Sequence, residues 1–212
     1  TYTISDGAGG TSTAVVNLTI SAVNDNPVAV NDVATLNEDS ALTIQASTLL
    51  ANDSDVDAGQ TLSITAVSGA TNGTVSLVNG NPVFTPNANY NGAASFTYTI
   101  SDGNGGTFTA VVNLTVNAVN DNPVAVANSV TLNEDAVTTI TPATLLANDS
   151  DVDGNTLTIQ SVQGATHGSV AIVNGNVVFT PEANYNGAAQ FTYTISDGAG
   201  GTSTAAVNLT IN

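Results

Sequence analysis

The sequence predicts an all-β protein made of tandem Greek-key β-sandwich repeats of about 95 residues each. Three observations carry that prediction. Long segments recur: residues 23–30 return unchanged at 119–126, Thr35 to Asp39 at 131–135, and Phe96 to Gly103 at 191–198. Within each copy, apolar and hydroxyl residues alternate with the period of a half-buried strand. Asn-Gly and glycine-rich turn signals punctuate those runs at short intervals.

The elements follow in order along the first complete copy. Val28 to Leu36 and Ala41 to Gln45 are the first two predicted strands, and Ala46 to Asn52 is a short helical turn. Thr61 to Val67 is the third strand. Val75 to Val78 and Pro82 to Thr85 flank Asn79-Gly80-Asn81 and form a hairpin on its Asn-Gly turn. Ser95 to Ile100 sets Phe96, Tyr98 and Ile100 against Ser95, Thr97 and Thr99. After the turn Asp102 to Gly106, Val112 to Val116 resumes the alternation. Seven short strands in this length suit a sandwich of immunoglobulin size. Phe84, Tyr90, Phe96 and Tyr98 are the core candidates.

Three segments result. Residues 1–22 read as the C-terminal hairpin of a preceding repeat, because residues 1–21 nearly duplicate 192–212. Residues 23–118 and 119–212 are complete repeats, each long enough to bury its own core. The opening hairpin cannot build a core alone: either it is a truncated neighbouring repeat, or it packs into a domain of another chain. The whole reads as an excerpt of a longer array.

Composition narrows the function. The chain has no Lys or Arg and 17 acidic residues, for a formal net charge of −17. Nucleic-acid phosphates and anionic membrane surfaces are excluded as partners, since both need basic side chains. No apolar run reaches membrane-spanning length. The absence of Cys, the single His167 and the lack of a nucleophile elbow or phosphate loop argue against an enzyme.

The acidic residues are clustered. Asp53-Ser54-Asp55-Val56-Asp57 returns as Asp149-Ser150-Asp151-Val152-Asp153. Three carboxylates on alternate residues repel one another, and no side chain here can neutralise them. The counter-charge must come from solution, and clustered hard oxygens select calcium, Ca2+. Asp149, Asp151, Asp153 and Gly154 resemble the first half of an EF-hand loop, but the twelfth position is Gln160 rather than Glu, so the remaining ligands lie elsewhere.

The join between repeats carries a family resemblance. Tyr98-Thr99-Ile100-Ser101-Asp102-Gly103, a strand, and then Asn120-Asp121-Asn122-Pro123 resemble the end of a cadherin repeat and its linker. Glu38 resembles the glutamate of the cadherin Pro-Glu-Asn motif, and Asp55-Val56-Asp57 the Asp-x-Asp pair. Leu-Leu-Ala-Asn-Asp-Ser-Asp-Val-Asp-Gly (145–154) and Phe-Thr-Pro-x-Ala-Asn-Tyr-Asn-Gly are similar to phrases of bacterial cadherin-like repeats in large, RTX-type secreted surface adhesins.

The resemblance implies calcium sites at the junctions. One would use Asn24, Asp25 and Asn26 with Asp55, Asp57 and Asp102. The next would use Asn120, Asp121 and Asn122 with Asp151, Asp153 and Asp197, and would draw Glu38 from the repeat before. Glu134 occupies the same position in the second repeat. The family's mid-domain Asp-Arg-Glu motif has no match. The implied function is a calcium-stiffened extender of a secreted, cell-surface adhesin or extracellular fibre, with adjacent repeats of the same array as partners. Two alternatives stand beside it: a filament subunit that joins other copies by strand addition, and a glycan-binding adhesion module.

Overall fold

A strand with one apolar face needs a second layer to cover it, and each repeat supplies that layer itself. The computed structural model describes residues 1–212, which form two units, Thr1–Asn117 and Ala118–Asn212.

Unit 1 opens with a hairpin of β1 (Tyr2–Ser5) and β2 (Thr11–Ala14), which pair only with each other. Seven strands follow: β3 (Asp32–Asn37), β4 (Leu42–Thr43), β5 (Ser63–Thr71), β6 (Gly73–Val78), β7 (Asn81–Pro86), β8 (Gly92–Ser101) and β9 (Thr107–Asn117). A one-turn helix, α1 (Ala46–Leu49), lies between β4 and β5. One sheet has the order β3-β9-β8-β5 and the other β4-β7-β6.

Unit 2 repeats the plan. Its strands are β10 (Asn128–Leu132), β11 (Thr138–Ile140), β12 (Thr158–Gln163), β13 (Gly168–Val173), β14 (Asn176–Pro181), β15 (Gly187–Ser196) and β16 (Thr202–Ile211), with α2 (Pro142–Leu145) and a 3-10 turn at Leu146–Asn148. The sheets are β10-β16-β15-β12 and β11-β14-β13. The predicted all-β sandwich of seven strands per repeat is the observed architecture.

The hairpin turns are built as the sequence predicts. Asn79 and Gly80, between β6 and β7, have φ of 49° and 78°, and Asn174 and Gly175 have 50° and 79°. Two successive positive φ values match the right-handed twist of the flanking strands, and Asn-Gly tolerates them best. Phe84 of β7 and Phe96 of β8 stack across the two sheets at 6.1 Å, as Phe179 and Phe191 do at 6.0 Å. Tyr98 and Tyr193 are wholly buried beside them, while Tyr90 packs against the core from its edge.

Two details depart from the sequence reading. The predicted first strand begins at Val28, but β3 starts at Asp32 and runs parallel to β9. Val28 instead bridges to Ser54. The intervening residues take their hydrogen bonds from the acidic loop, so the ladder to β9 starts four residues later. The opening segment is also unlike its counterpart. Leu18 and Ile20 are 83% and 93% exposed, whereas Leu209 and Ile211 in the same sequence context are 2% exposed. The longest helix has four residues, and no helix is long and apolar enough to cross a membrane.

Candidate functional site

Three chain segments meet at one end of unit 1. The linker Asn24–Asn26 is strapped to the acidic loop by a bridge in which Val28 N–H donates to the Ser54 carbonyl at 2.8 Å and Ser54 N–H returns to Val28 at 3.0 Å. Pro27 is buried and fixes the linker's entry. Asp25 N–H then donates to Asp57 Oδ2 at 2.8 Å, and Asp57 N–H donates to Asp55 Oδ1 at 2.7 Å. The third segment is the turn from β8 to β9. There Asp102, only 4% exposed, accepts the N–H groups of Asn104 at 2.7 Å and Gly106 at 3.0 Å. Asn24 Nδ2 completes the closure by donating to Asp102 Oδ2 at 2.7 Å.

Unit 2 rebuilds this arrangement from its own residues. Val124 and Ser150 form the bridge, Asp121 N–H donates to Asp153 Oδ2 at 2.8 Å, and Asp153 N–H donates to Asp151 Oδ1 at 3.0 Å. Asn120 Nδ2 donates to Asp197 Oδ2 at 2.7 Å, and Asp197 receives Ala199, Gly200 and Gly201 N–H groups between 2.7 and 3.0 Å. Six predicted positions per repeat are therefore gathered: linker Asn, Asp, Asn, the Asp-x-Asp pair, and the turn Asp.

The electrostatics favour charged carboxylates at the turn. The Asn24 amide is the largest influence holding the Asp102 carboxyl below its usual range; burial opposes it, and the Asn104 and Gly106 N–H groups reinforce it. Asp197 is lowered in the same way, first by Asn120. A carboxylate that accepts several N–H groups stays ionised even where water is scarce.

A hard cation would need more here than carboxylates alone. Nowhere do three or more Asp, Glu or His side chains converge closely enough to hold a metal by themselves. The donors around the linker are mixed: the Asp102 carboxylate beside the Asn26 side-chain oxygen, and the Asp55 and Asp57 carboxylates on the loop bonded to Asp25. Calcium takes such sets, six to eight oxygens of carboxylate, amide and carbonyl type. Two observations fit. Asp55 Oδ2 and Asp151 Oδ2, at equivalent positions, are buried with no hydrogen-bond partner. A Cβ on Gly106 would strike the Asp102 carboxylate and lie 3.1 Å from Asn26 Oδ1, so these two oxygen groups crowd one small space. Gly201 faces Asp197 and Asn122 likewise. An open cleft of about 740 Å³ beside Asn24, Asp57 and Asp102 gives access from water.

Some grouped residues separate. Asp53 and Asp149 do not join the Asp-x-Asp pairs. Asp53 accepts Val30 N–H at 2.8 Å and lies 3.2 Å from the Tyr98 hydroxyl, and Asp149 faces Tyr193 in the same way. The loop follows a helical turn, with Asp53 N–H bonded back to Leu50, so strict alternation of direction fails. The half EF-hand suggested at Asp149 is therefore not formed. Glu38 and Glu134 lie at the far end of their own units, where their N–H groups donate to Asn117 and Asn212. The eleven residues of β9 span roughly 36 Å between the two ends. Sequence reasoning missed Gln60 and Asn155, which donate to the Oδ1 of Asn24 at 2.7 Å and of Asn120 at 2.9 Å. An amide on the residue before the recurrent Thr-Leu was the available signal.

Comparison with known proteins adds the following. The cadherin-like domain family matches residues 23–117 and 119–212. No curated protein matches the chain. Among solved structures, human mucin-like protocadherin EC1-2 is 17% identical, with 88% of this chain and 98% of that one covered and a TM-score of 0.45. Protocadherin gamma B7 domains 1–4 are 17% identical, with 90% and 52% covered and a TM-score of 0.45. An endo-fucoidan hydrolase of glycoside hydrolase family 107 is 21% identical at a TM-score of 0.37; the match covers 88% of this chain but spans only 29% of the hydrolase. Likenesses this distant carry no argument about activity.

Proposed function

The chain belongs to the cadherin-like domain family, and from that premise we propose that its repeats are calcium-stiffened extender units of a secreted bacterial surface adhesin or extracellular fibre. The observation that carries this reading is the duplicated oxygen cluster with its partnerless carboxylate atoms, Asp55 Oδ2 and Asp151 Oδ2. Extracellular adhesion and structural repeats are the setting in which cadherin-like tandem domains are used.

Asn24, Asp25, Asn26, Asp55, Asp57 and Asp102 would hold calcium in the first repeat. Asn120, Asp121, Asn122, Asp151, Asp153 and Asp197 would do so in the second. By the family pattern, Glu38 and Glu134 would add a carboxylate ligand each. A bound calcium ion would supply the positive charge that no Lys or Arg of this chain provides. The linker residues tie their repeat's entry to its acidic loop, and the Asn24 and Asn120 amides, with the N–H groups of the glycine turns, favour the ionised forms of Asp102 and Asp197. Without counter-charge the same carboxylates repel, which loosens the linker.

Thermal unfolding across a calcium titration, with magnesium in parallel, tests the reading. Selective calcium binding to the folded state is expected to raise the melting temperature by roughly 10 °C at a hundredfold excess over Kd. An unchanged melting curve would sink the calcium mechanism and reduce the clusters to hydrogen-bonded turns.

A further inference from the structure

The linker asparagines are held the wrong way round for a cation, each by an amide side chain of its own repeat. A side-chain amide offers a donor on one side and an acceptor on the other, and only the oxygen can ligate a metal. Asn24 turns its Nδ2 toward Asp102 Oδ2 at 2.7 Å and toward the Asp25 carbonyl at 3.2 Å. Its Oδ1 is occupied by Gln60 Nε2 at 2.7 Å. In unit 2, Asn120 Nδ2 faces Asp197 Oδ2 at 2.7 Å and the Asp121 carbonyl at 3.1 Å, while its Oδ1 accepts Asn155 Nδ2 at 2.9 Å.

This recurrence is not a simple copy. Gln60 stands three residues beyond Asp57, and Asn155 two beyond Asp153. The longer loop carries the longer side chain, and both amides reach the equivalent oxygen. The same relay is thus reached from different backbone lengths and different residue types. Gln60 Oε1, meanwhile, is buried with no partner.

We propose that Gln60 and Asn155 are positioning residues that hold Asn24 and Asn120 donor-inward, and that the turning over of each amide pair sets the calcium affinity of its cluster. The inference rests on the calcium reading above. With donors inward, N–H groups stand against the carboxylates and offset their repulsion. Rotating Asn24 about its Cβ–Cγ bond brings Oδ1 to face Asp102, where two oxygens repel unless positive charge joins them. The Asn24 NH2 then points at Gln60, whose own rotation presents Oε1 as the acceptor. Both arrangements keep the amides hydrogen-bonded to each other, so the relay has two self-consistent states.

Two substitutions in the full chain separate the possibilities. Gln60→Glu offers only acceptors, so it holds Asn24 oxygen-inward; Gln60→Met removes the hydrogen bond without adding charge. Calorimetric calcium titration at pH 7.5 is expected to show binding tightened about tenfold by Gln60→Glu and a few-fold by Gln60→Met. In chelator, Gln60→Glu should lower the melting temperature of the first repeat, and the Asn24 side-chain amide signals in a nitrogen-15 spectrum should shift in both variants. A purely structural role would lower melting equally with and without calcium and leave Kd alone. Binding and Asn24 signals unchanged in both variants would overturn the relay while the calcium reading stood. A parent chain that takes up no calcium would overturn both.

Discussion

Tyr98 has one hydroxyl proton and oxygens of three residues around it. Val30 carbonyl lies at 3.1 Å, Asp32 Oδ2 at 2.9 Å and Asp53 Oδ2 at 3.2 Å. In the second repeat the position of Asp32 is Asn128, whose Nδ2 donates to the Tyr193 hydroxyl at 3.0 Å and to the Leu145 carbonyl at 3.0 Å. The second cluster is therefore donor-matched and the first is acceptor-rich. Burial, with the Asp53 charge as a further push, raises the Asp32 pKa above its ordinary 3.8, although the Tyr98 hydrogen bond opposes this. Both Tyr98 and Tyr193 are raised in turn, chiefly by burial, then by their aspartates. Asp32→Asn is expected to raise the melting temperature of the first repeat by roughly 3 °C near neutral pH. A group whose folded pKa is raised binds its proton more tightly in the native state, so native stability is lost as pH rises through that pKa. The gain from Asp32→Asn should shrink as pH falls through the raised value and vanish below 3.8. Melting curves from pH 3 to 7.5 check both the sign and the window.

At the scale of elements, the turn between β8 and β9 decides whether the oxygen cluster exists. Gly106 has no left-handed φ and needs glycine only because its Cβ would occupy the place of the Asp102 carboxylate. Gly106→Ala should displace Asp102 from the Asn104, Gly106 and Asn24 donors at once. The expected result is a fall of roughly 5–10 °C in the melting temperature of the first repeat, with its calcium response lost. Gly201→Ala should do the same in the second repeat only, and differential scanning calorimetry resolves which repeat moved. The β6–β7 hairpin shows the opposite dependence: its Asn79-Gly80 turn is required by positive φ at both residues, and no neighbour lies within reach of a Cβ at Gly80. One glycine serves the site and the other serves the fold.

At the scale of the whole molecule, the charge of −17 and the duplicated sandwich belong together. All carboxylates but Asp32 of β3 lie outside the strands, which leaves the strands to alternate apolar and hydroxyl residues. The opening hairpin stands outside that scheme, because β1 and β2 pair with nothing else. A chain of residues 23–212 is expected to unfold within about 2 °C of the full chain, as no strand ladder is lost with the hairpin. A larger drop would assign the hairpin a part in the core of the first repeat.

The sequence alone determined the repeat and the seven-strand sandwich, and it marked the acidic segments that recur. Those depend on patterns printed in the chain: a period of two, Asn-Gly turns, and acidic residues recurring at fixed spacing. The Asn-Asp-Asn linker, the Asp-x-Asp loop and the turn aspartate could each be recognised because each is contiguous. Direction was not legible. Asp53, Asp55 and Asp57 look equivalent in sequence, yet the helical turn before them sends Asp53 to Tyr98, Asp57 to the linker N–H of Asp25, and Asp55 to the N–H of Asp57. The parallel pairing of β3 with β9, and the meeting of Gln60 with Asn24 across 36 residues, were likewise decided by the tertiary fold. Alternation reports which side of a strand faces the core, but long-range packing chooses which strand lies beside it and which end of an amide faces a carboxylate.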